Sequence, residues 1–194
     1  MTRKEQKEER RKAILMAALT LFVEKGYYDT KIADIAAAVP MSVGLMFHYF
    51  ESKEELLLGV VKMGAEGTKS VSRSATPEMM SKITPDQYLT GFLKQMFEYA
   101  KNESWIFYMF VLMGQARRAG MPEEARKVAL SVDAVDFTSG LIAKGQKDGI
   151  FHKGDAKLMS RCFWASVQGI MEEMAMDKSM ETPDPEWIVG MLSV

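Results

Sequence analysis

The sequence predicts an all-α protein, and three observations carry that prediction. Apolar residues recur at i, i+3 and i+4 along most of the chain. Cap and stop residues punctuate those periodic segments. Few stretches alternate apolar and polar residues for long enough to read as a strand. The chain has 194 residues, 47% hydrophobic and 26% charged. That balance excludes disorder, collagen-like repeats and a disulfide scaffold, and the length suffices to bury a sizeable core. Cys162 is the one cysteine, and only two histidines accompany it. An internal disulfide is therefore excluded, and the ligands are too few for a zinc module. The chain is expected to need no cofactor and no metal, and a reducing, cytoplasmic setting fits.

The first helix is expected over 6–25. Ile14, Ala17, Ala18, Leu21 and Phe22 form its apolar stripe, and Gly26 ends it. Its start resembles a signal peptide in length, with bases up to Lys12 followed by an apolar run from Ala13 to Val23. Glu5, Glu8 and Glu9 interrupt the basic part, and Glu24-Lys25-Gly26 stands where a cleavage site would fall. The run is expected to be a buried helix, too short to span a bilayer. Short helices are expected over 31–38 and 43–49. Ile32, Ile35 and Ala36 give the first one apolar face, Pro40 breaks the chain, and Ser42 caps the second. This is the layout of a helix-turn-helix, with helix 6–25 as the supporting third member. Ser52-Lys53-Glu54-Glu55 is a capping box that opens a connector over 53–72.

Longer helices are expected beyond it, over 85–102, 105–119, 122–148 and 155–178, with a last one over 185–192. Thr84-Pro85 and Asp184-Pro185 mark two starts, and Gly120 and Gly149 mark stops. Thr76-Pro77 has the same form, so a short turn is expected over 76–83. The expected division is a helix-turn-helix domain, 1–52, and a larger helical domain, 53–194. Charge divides similarly. Residues 1–53 carry nine Lys/Arg against seven Asp/Glu, and the first twelve alone carry six against three. A basic end permits nucleic-acid binding without establishing it, since Lys4–Glu8 and Glu8–Lys12 also pair along a helix.

Phe22, Gly26-Tyr27, Thr30, Ile35-Ala36, Ser42, Gly44, His48-Tyr49-Phe50 and Ser52-Lys53-Glu54-Glu55-Leu56 fall in one unbroken register. In that register the chain resembles the TetR family of transcriptional regulators, over residues 10–57. The resemblance implies a homodimer that binds double-stranded operator DNA. It also implies a small ligand held in the second domain, most simply apolar or amphipathic, and release of DNA when that ligand binds. It assigns DNA contact to Thr30, Ser42, Val43, Gly44, Leu45, Phe47, His48, Tyr49 and Lys53. Of these, Lys53, His48 and Tyr49 would contact phosphate, Thr30 and Ser42 would cap helices and bond phosphate, and Val43 and Leu45 would face the groove. Arg3, Lys4 and Lys7 would reach the neighbouring backbone or the minor groove.

Three departures stand out. Pro40 occupies a turn position commonly glycine, Phe47 replaces a tyrosine, and Val43 and Leu45 stand where polar residues are common. Either recognition leans on thymine methyls and DNA shape, or binding is weak. A ligand pocket is expected from Phe92, Met96, Trp105, Tyr108, Met109, Met113, Phe137, Trp164 and Gln168. The same spacings equally suit a packed core. The late helices are expected to form the dimer interface, with Phe163, Ser166, Val167 and Ile170 as its seam. An intramolecular core is the other use of those residues. No phosphate loop, metal-spaced cluster or nucleophile elbow is present, so the chain is expected not to be an enzyme. The expected function is a ligand-released repressor. The alternative is a helical small-molecule carrier whose head no longer reads DNA specifically.

Overall fold

The computed structural model describes residues 2–74, 82–132 and 134–194. Ten helices lie among them. They are α1 (Arg3–Glu24), α2 (Ile32–Ala38), α3 (Val43–Met46), α4 (Lys53–Ser74), α5 (Pro85–Asn102), α6 (Trp105–Ala116), α7 (Glu123–Ser131), α8 (Val135–Lys147), α9 (Ala156–Met176) and α10 (Pro185–Gly190). The described residues hold no strand, only an isolated antiparallel bridge between Phe151 and Ser193. No described helix is long and apolar enough to cross a membrane.

The chain divides into two compact units, residues 1–66 with 108–131 and residues 67–107 with 132–194. The unit that carries the helix-turn-helix therefore runs past residue 52. Leu56, Leu57, Val60 and Val61 on the first turns of α4 are fully buried, so α4 begins as part of that unit's core. Ile14, Ala18, Leu19 and Phe22 of α1, Ile35 and Ala36 of α2, Met46 and Phe50 fill the same core. From the stripe expected on α1, Ala17 and Leu21 are only half-buried.

In the second unit α8 packs along α9, and α10 packs on α5 and α9. The Ser160 hydroxyl donates to the Val135 carbonyl at 2.9 Å, and the Trp164 indole N–H donates to Thr138 Oγ1 at 3.0 Å. These two bonds fix the α8–α9 register with polar groups that burial would otherwise leave unpaired. The chain end is tied back by the His152 N–H donating to the Leu192 carbonyl and the Val194 N–H donating to the Ile150 carbonyl.

Several boundaries differ from expectation. The first helix starts at Arg3, because Thr2 and Glu5 form a capping box upstream of the apolar stripe. The helix expected over 43–49 stops at Met46. The chain then tightens into a turn through His48 N–H to Leu45 carbonyl and Tyr49 N–H to Met46 carbonyl bonds. The single helix expected over 122–148 is two helices. The first ends at Ser131, whose hydroxyl donates back to the Val128 carbonyl, and the second begins at Val135. Most of the turn expected over 76–83 lies outside the described residues.

Gly145 of α8 faces the buried Phe151 ring. A Cβ at position 145 would lie 2.2 Å from Phe151 Cδ2. Gly145→Ala is expected to destabilise the protein by about 2 kcal/mol through overpacking, despite the better helix propensity of alanine. Thermal unfolding followed by circular dichroism measures it, and an unchanged or raised Tm would contradict this packing.

Candidate nucleic-acid interface

The geometry is set from two sides of α3. On one side, Gly26 ends α1 with φ +88°, a left-handed conformation that favours glycine, and the chain turns through residues 27–30 into α2. That turn leaves carbonyls without helical partners. Lys53, at the first position of α4, reaches across and satisfies them. Its ammonium donates to the carbonyls of Tyr27 (2.9 Å), Thr30 (3.0 Å) and Tyr28 (3.2 Å). The same Nζ lies 4.6 Å from the centroid of the Tyr27 ring. Three N–H donors thus meet three acceptors.

The electrostatics follow from this packing. Burial, and then the charge of Glu54, push the Tyr27 hydroxyl well up from its ordinary value. The Glu54 carboxyl is held below the usual carboxylate range, first by its own backbone N–H and then by the Ser52 hydroxyl. Asp34 is held down by the backbone N–H of Lys31 and then by the charge of Lys25, so it stays ionised at the start of α2.

On the other side, Arg11 of α1 lies against the end of the reading segment. Its Nη1 donates to the Tyr49 carbonyl at 2.9 Å, and its Cζ stands 4.1 Å from the centroid of the buried Phe50 ring. Its Nη2 lies 3.9 Å from Glu55. Sequence reasoning missed Arg11, although its position three residues before Ile14 places it in line with the buried stripe. It missed the Lys53 clasp for a different reason: the acceptors are main-chain carbonyls 23 to 26 residues away.

Between these clasps, α3 turns Met46 inward and the rest outward. Val43, Leu45 and Phe47 are 39%, 43% and 48% exposed. Gly44 and His48 are also exposed, and nothing in the chain lies within 4 Å of where a Gly44 Cβ would stand. Ser42 caps the helix by accepting the Leu45 N–H at 3.1 Å. Tyr49 is half-buried. The basic residues Arg3, Lys4, Lys7 and Arg10 are exposed along the start of α1.

Two of the expected contact residues are corrected. Thr30 caps no helix, since Lys31 holds the cap position of α2. The Thr30 side chain is fully buried, and its hydroxyl lies within bonding distance of the Gly26 carbonyl (2.7 Å) and the Leu21 carbonyl (3.0 Å). A phosphate outside cannot reach it. Lys53 does not extend freely into solvent, because its three N–H groups are already donated inward.

The expected pocket residues are divided between the units. In the second unit, Phe92 meets Trp164 edge-on at 6.0 Å, Trp164 meets Phe163 at 5.5 Å, and Phe137 meets Tyr88 at 5.9 Å. Phe92, Met96, Trp105, Phe137, Trp164 and Gln168 are half-buried. The Trp105 indole N–H donates to Glu103, and the Gln168 amide donates to Glu172. In the first unit, the Tyr108 hydroxyl donates to Glu24 at 2.8 Å, which raises its pKa. Met109 and Met113 are buried there and lie against Gly64 of α4.

The expected dimer seam is corrected at two positions. Phe163 and Val167 are buried in the core of their own unit, so neither has surface left for a partner. Ser166 and Ile170 line an open cleft between α9 and α10, together with Ala165, Gly169, Trp187 and Met191. Trp187 and Met191 are 72% and 55% exposed.

Residues 14–60 match the family described as "Bacterial regulatory proteins, tetR family". The chain is similar to the HTH-type transcriptional regulator HbdR of Aromatoleum sp. (strain CIB), 46% identical over 55 residues. That match covers 28% of this chain and 24% of HbdR, so the chain spans about a quarter of the length of that relative. It is also similar to the HTH-type transcriptional regulator RutR of Escherichia coli (strain K12), 27% identical over 160 residues, covering 82% of this chain and 72% of RutR. Among solved structures, AibR in complex with isovaleryl coenzyme A and operator DNA shares the fold. Its TM-score is 0.73 at 21% identity, covering 95% of this chain and 98% of that one.

Lys53→Met keeps much of the stem and removes the ammonium. It strands three carbonyls, so a loss of about 2 kcal/mol in folding stability is expected, the scale of hydrogen bonds to a charged group. Urea unfolding measures it. A change within about 0.5 kcal/mol, typical of an uninvolved surface site, would contradict the clasp.

Proposed function

We propose that this chain, whose residues 14–60 match the tetR family of bacterial regulatory proteins, is a homodimeric, cytoplasmic, DNA-binding transcriptional repressor of that family. One observation carries this reading. Within the matched segment, a capped one-turn helix and the turn after it hold Val43, Gly44, Leu45, Phe47 and His48 outward, with Arg11 bonded to the Tyr49 carbonyl at their end. In this reading the unit of residues 1–66 and 108–131 carries the reading head, and the unit of residues 67–107 and 132–194 holds the ligand and the partner. His48, Tyr49 and the Ser42 hydroxyl meet phosphate. The amides at the start of α4 and the charge of Lys53 form a positive end that favours a phosphate nearby. Arg3, Lys4 and Lys7 extend the electrostatic footprint. These contacts set position and salt dependence, not sequence.

Release from DNA requires a ligand that binds the non-DNA-competent arrangement better than the competent one. The half-buried Phe92 and Trp164, in edge-on contact, and the half-buried Phe137, Met96, Trp105 and Gln168 of the same unit support an apolar or amphipathic ligand. AibR, of the same fold, was solved with an acyl coenzyme A and operator DNA together. The partner copy would lie on the open face of α9 and α10 at Ala165, Ser166, Gly169, Ile170 and Trp187, where small residues permit close helix approach. A two-fold dimer places its heads about 34–36 Å apart, one turn of DNA. This chemistry is binding, not catalysis. The apolar outward face of α3 also favours a second reading, a small-molecule-binding protein whose head has lost DNA specificity.

The test is selection of duplexes from a randomised library by the full-length protein. The selected duplex is then titrated by fluorescence anisotropy beside a scrambled one across a salt series. The repressor reading predicts two protomers per duplex and a preference of about 10³-fold or more. It also predicts a log K that falls linearly with log salt. Equal, weak binding to both duplexes would overturn it and support the second reading.

A further inference from the structure

Reading base edges by hydrogen bonds takes side chains such as Arg, Lys, Asn or Gln. Residues 39–50, from the turn through the reading segment, contain none of them. At about 100° per residue, the outward arc of α3 and its following turn runs Val43, Phe47, Gly44, His48, Leu45. The buried Met46 and Phe50 lie opposite. Three of the five carry only hydrocarbon, and Gly44 at the centre adds no side chain at all. Among the described residues nothing lies within 4 Å of where a Gly44 Cβ would stand, so backbone and flanking hydrocarbon together present a low apolar step. The polar groups lie at the edge. Ser42 caps α3 through the Leu45 N–H, and the Tyr49 carbonyl accepts from Arg11.

Three exposed apolar side chains gathered on one arc mark an interaction site. The exposed bases Arg3, Lys4, Lys7 and Arg10 on the same unit identify one by charge complementarity: the polyanionic duplex whose groove α3 would enter. Within a major groove, the one apolar group on a base edge is the thymine 5-methyl. A G·C pair offers only acceptors and a donor at that edge. Pressing Val43, Leu45 and Phe47 against those groups desolvates them without returning a hydrogen bond.

We propose that this protein selects its operator by thymine methyl groups, which Val43, Leu45 and Phe47 cover, and not by hydrogen bonds to base edges. The proposal rests on the DNA-binding reading above and deepens it. Half-sites should therefore carry thymine, on either strand, at the two or three base pairs beneath α3. His48, between Gly44 and Leu45 on the arc, holds the arc's only hydrogen-bonding side chain and is left for phosphate.

The experiment uses the library-selected duplex remade with 2′-deoxyuridine in place of thymidine. That exchange deletes the methyl and keeps every Watson–Crick and base-edge hydrogen-bonding group. Each contacted methyl removed is expected to weaken binding roughly fourfold, the value of one buried methyl-sized group. Binding to the scrambled duplex should be unchanged by the same exchange. Leu45→Ala and Val43→Ala, at exposed positions, should shrink the thymine-to-uracil ratio while their far-ultraviolet circular dichroism stays native. If selection enriches a sequence but the thymine and uracil duplexes bind within twofold of each other, the methyl proposal fails and the repressor reading stands. If selection enriches no sequence, the repressor reading itself fails, and the proposal with it.

Discussion

The head of this protein depends on one ammonium group. Lys53 donates to three carbonyls of the turn after α1 and rests on the Tyr27 ring. A tight turn between two helices leaves main-chain oxygens that neither helix can satisfy. An ammonium suits them because it carries three donors in a compact tetrahedral head, where the planar fork of an arginine would not converge in the same way. The bond set also fixes where α4 begins, and with it the apolar ladder Leu56, Leu57, Val60 and Val61 that closes the core beneath α2 and α3.

Arg11 does the matching work from α1, holding the end of the reading segment through the Tyr49 carbonyl and the Phe50 ring. The two clasps explain how so short a helix as α3 keeps its place. One turn of helix has almost no stability of its own. Here it is capped by Ser42, anchored inward by Met46 and Phe50, and framed by α1 and α4. None of these supports uses an outward side chain of α3. The outward face is therefore free of structural duty, and its apolar character belongs to what it meets.

The sequence reading succeeded where the physics is local. Caps at Ser42 and Asp184 accept the backbone N–H groups that their positions imply, and stops at Gly26, Gly120 and Gly149 all have positive φ. The outward placement of Val43, Leu45 and His48 agrees with what the resemblance implied. It failed where a residue's partner is remote or made of backbone. Lys53 and Thr30 both look like outward polar groups in a string of letters, yet both are spent on carbonyls of the α1–α2 turn. Phe163 and Val167 share a helix with the open residues Ala165, Ser166 and Gly169. Only the packing of α8 along α9 decides which of them face inward. The division of 122–148 falls where the chain passes from one unit to the other, a boundary that periodicity does not register.

The central claim is that duplex DNA meets this protein at α3 and the basic start of α1. Amide hydrogen exchange of the full-length protein, free and bound to its selected duplex, tests that most directly. The account predicts new protection concentrated in residues 2–12 and 40–50, with little change along α5 and the cleft between α9 and α10. Protection concentrated in the second unit instead, with 40–50 exchanging as in the free protein, would contradict it.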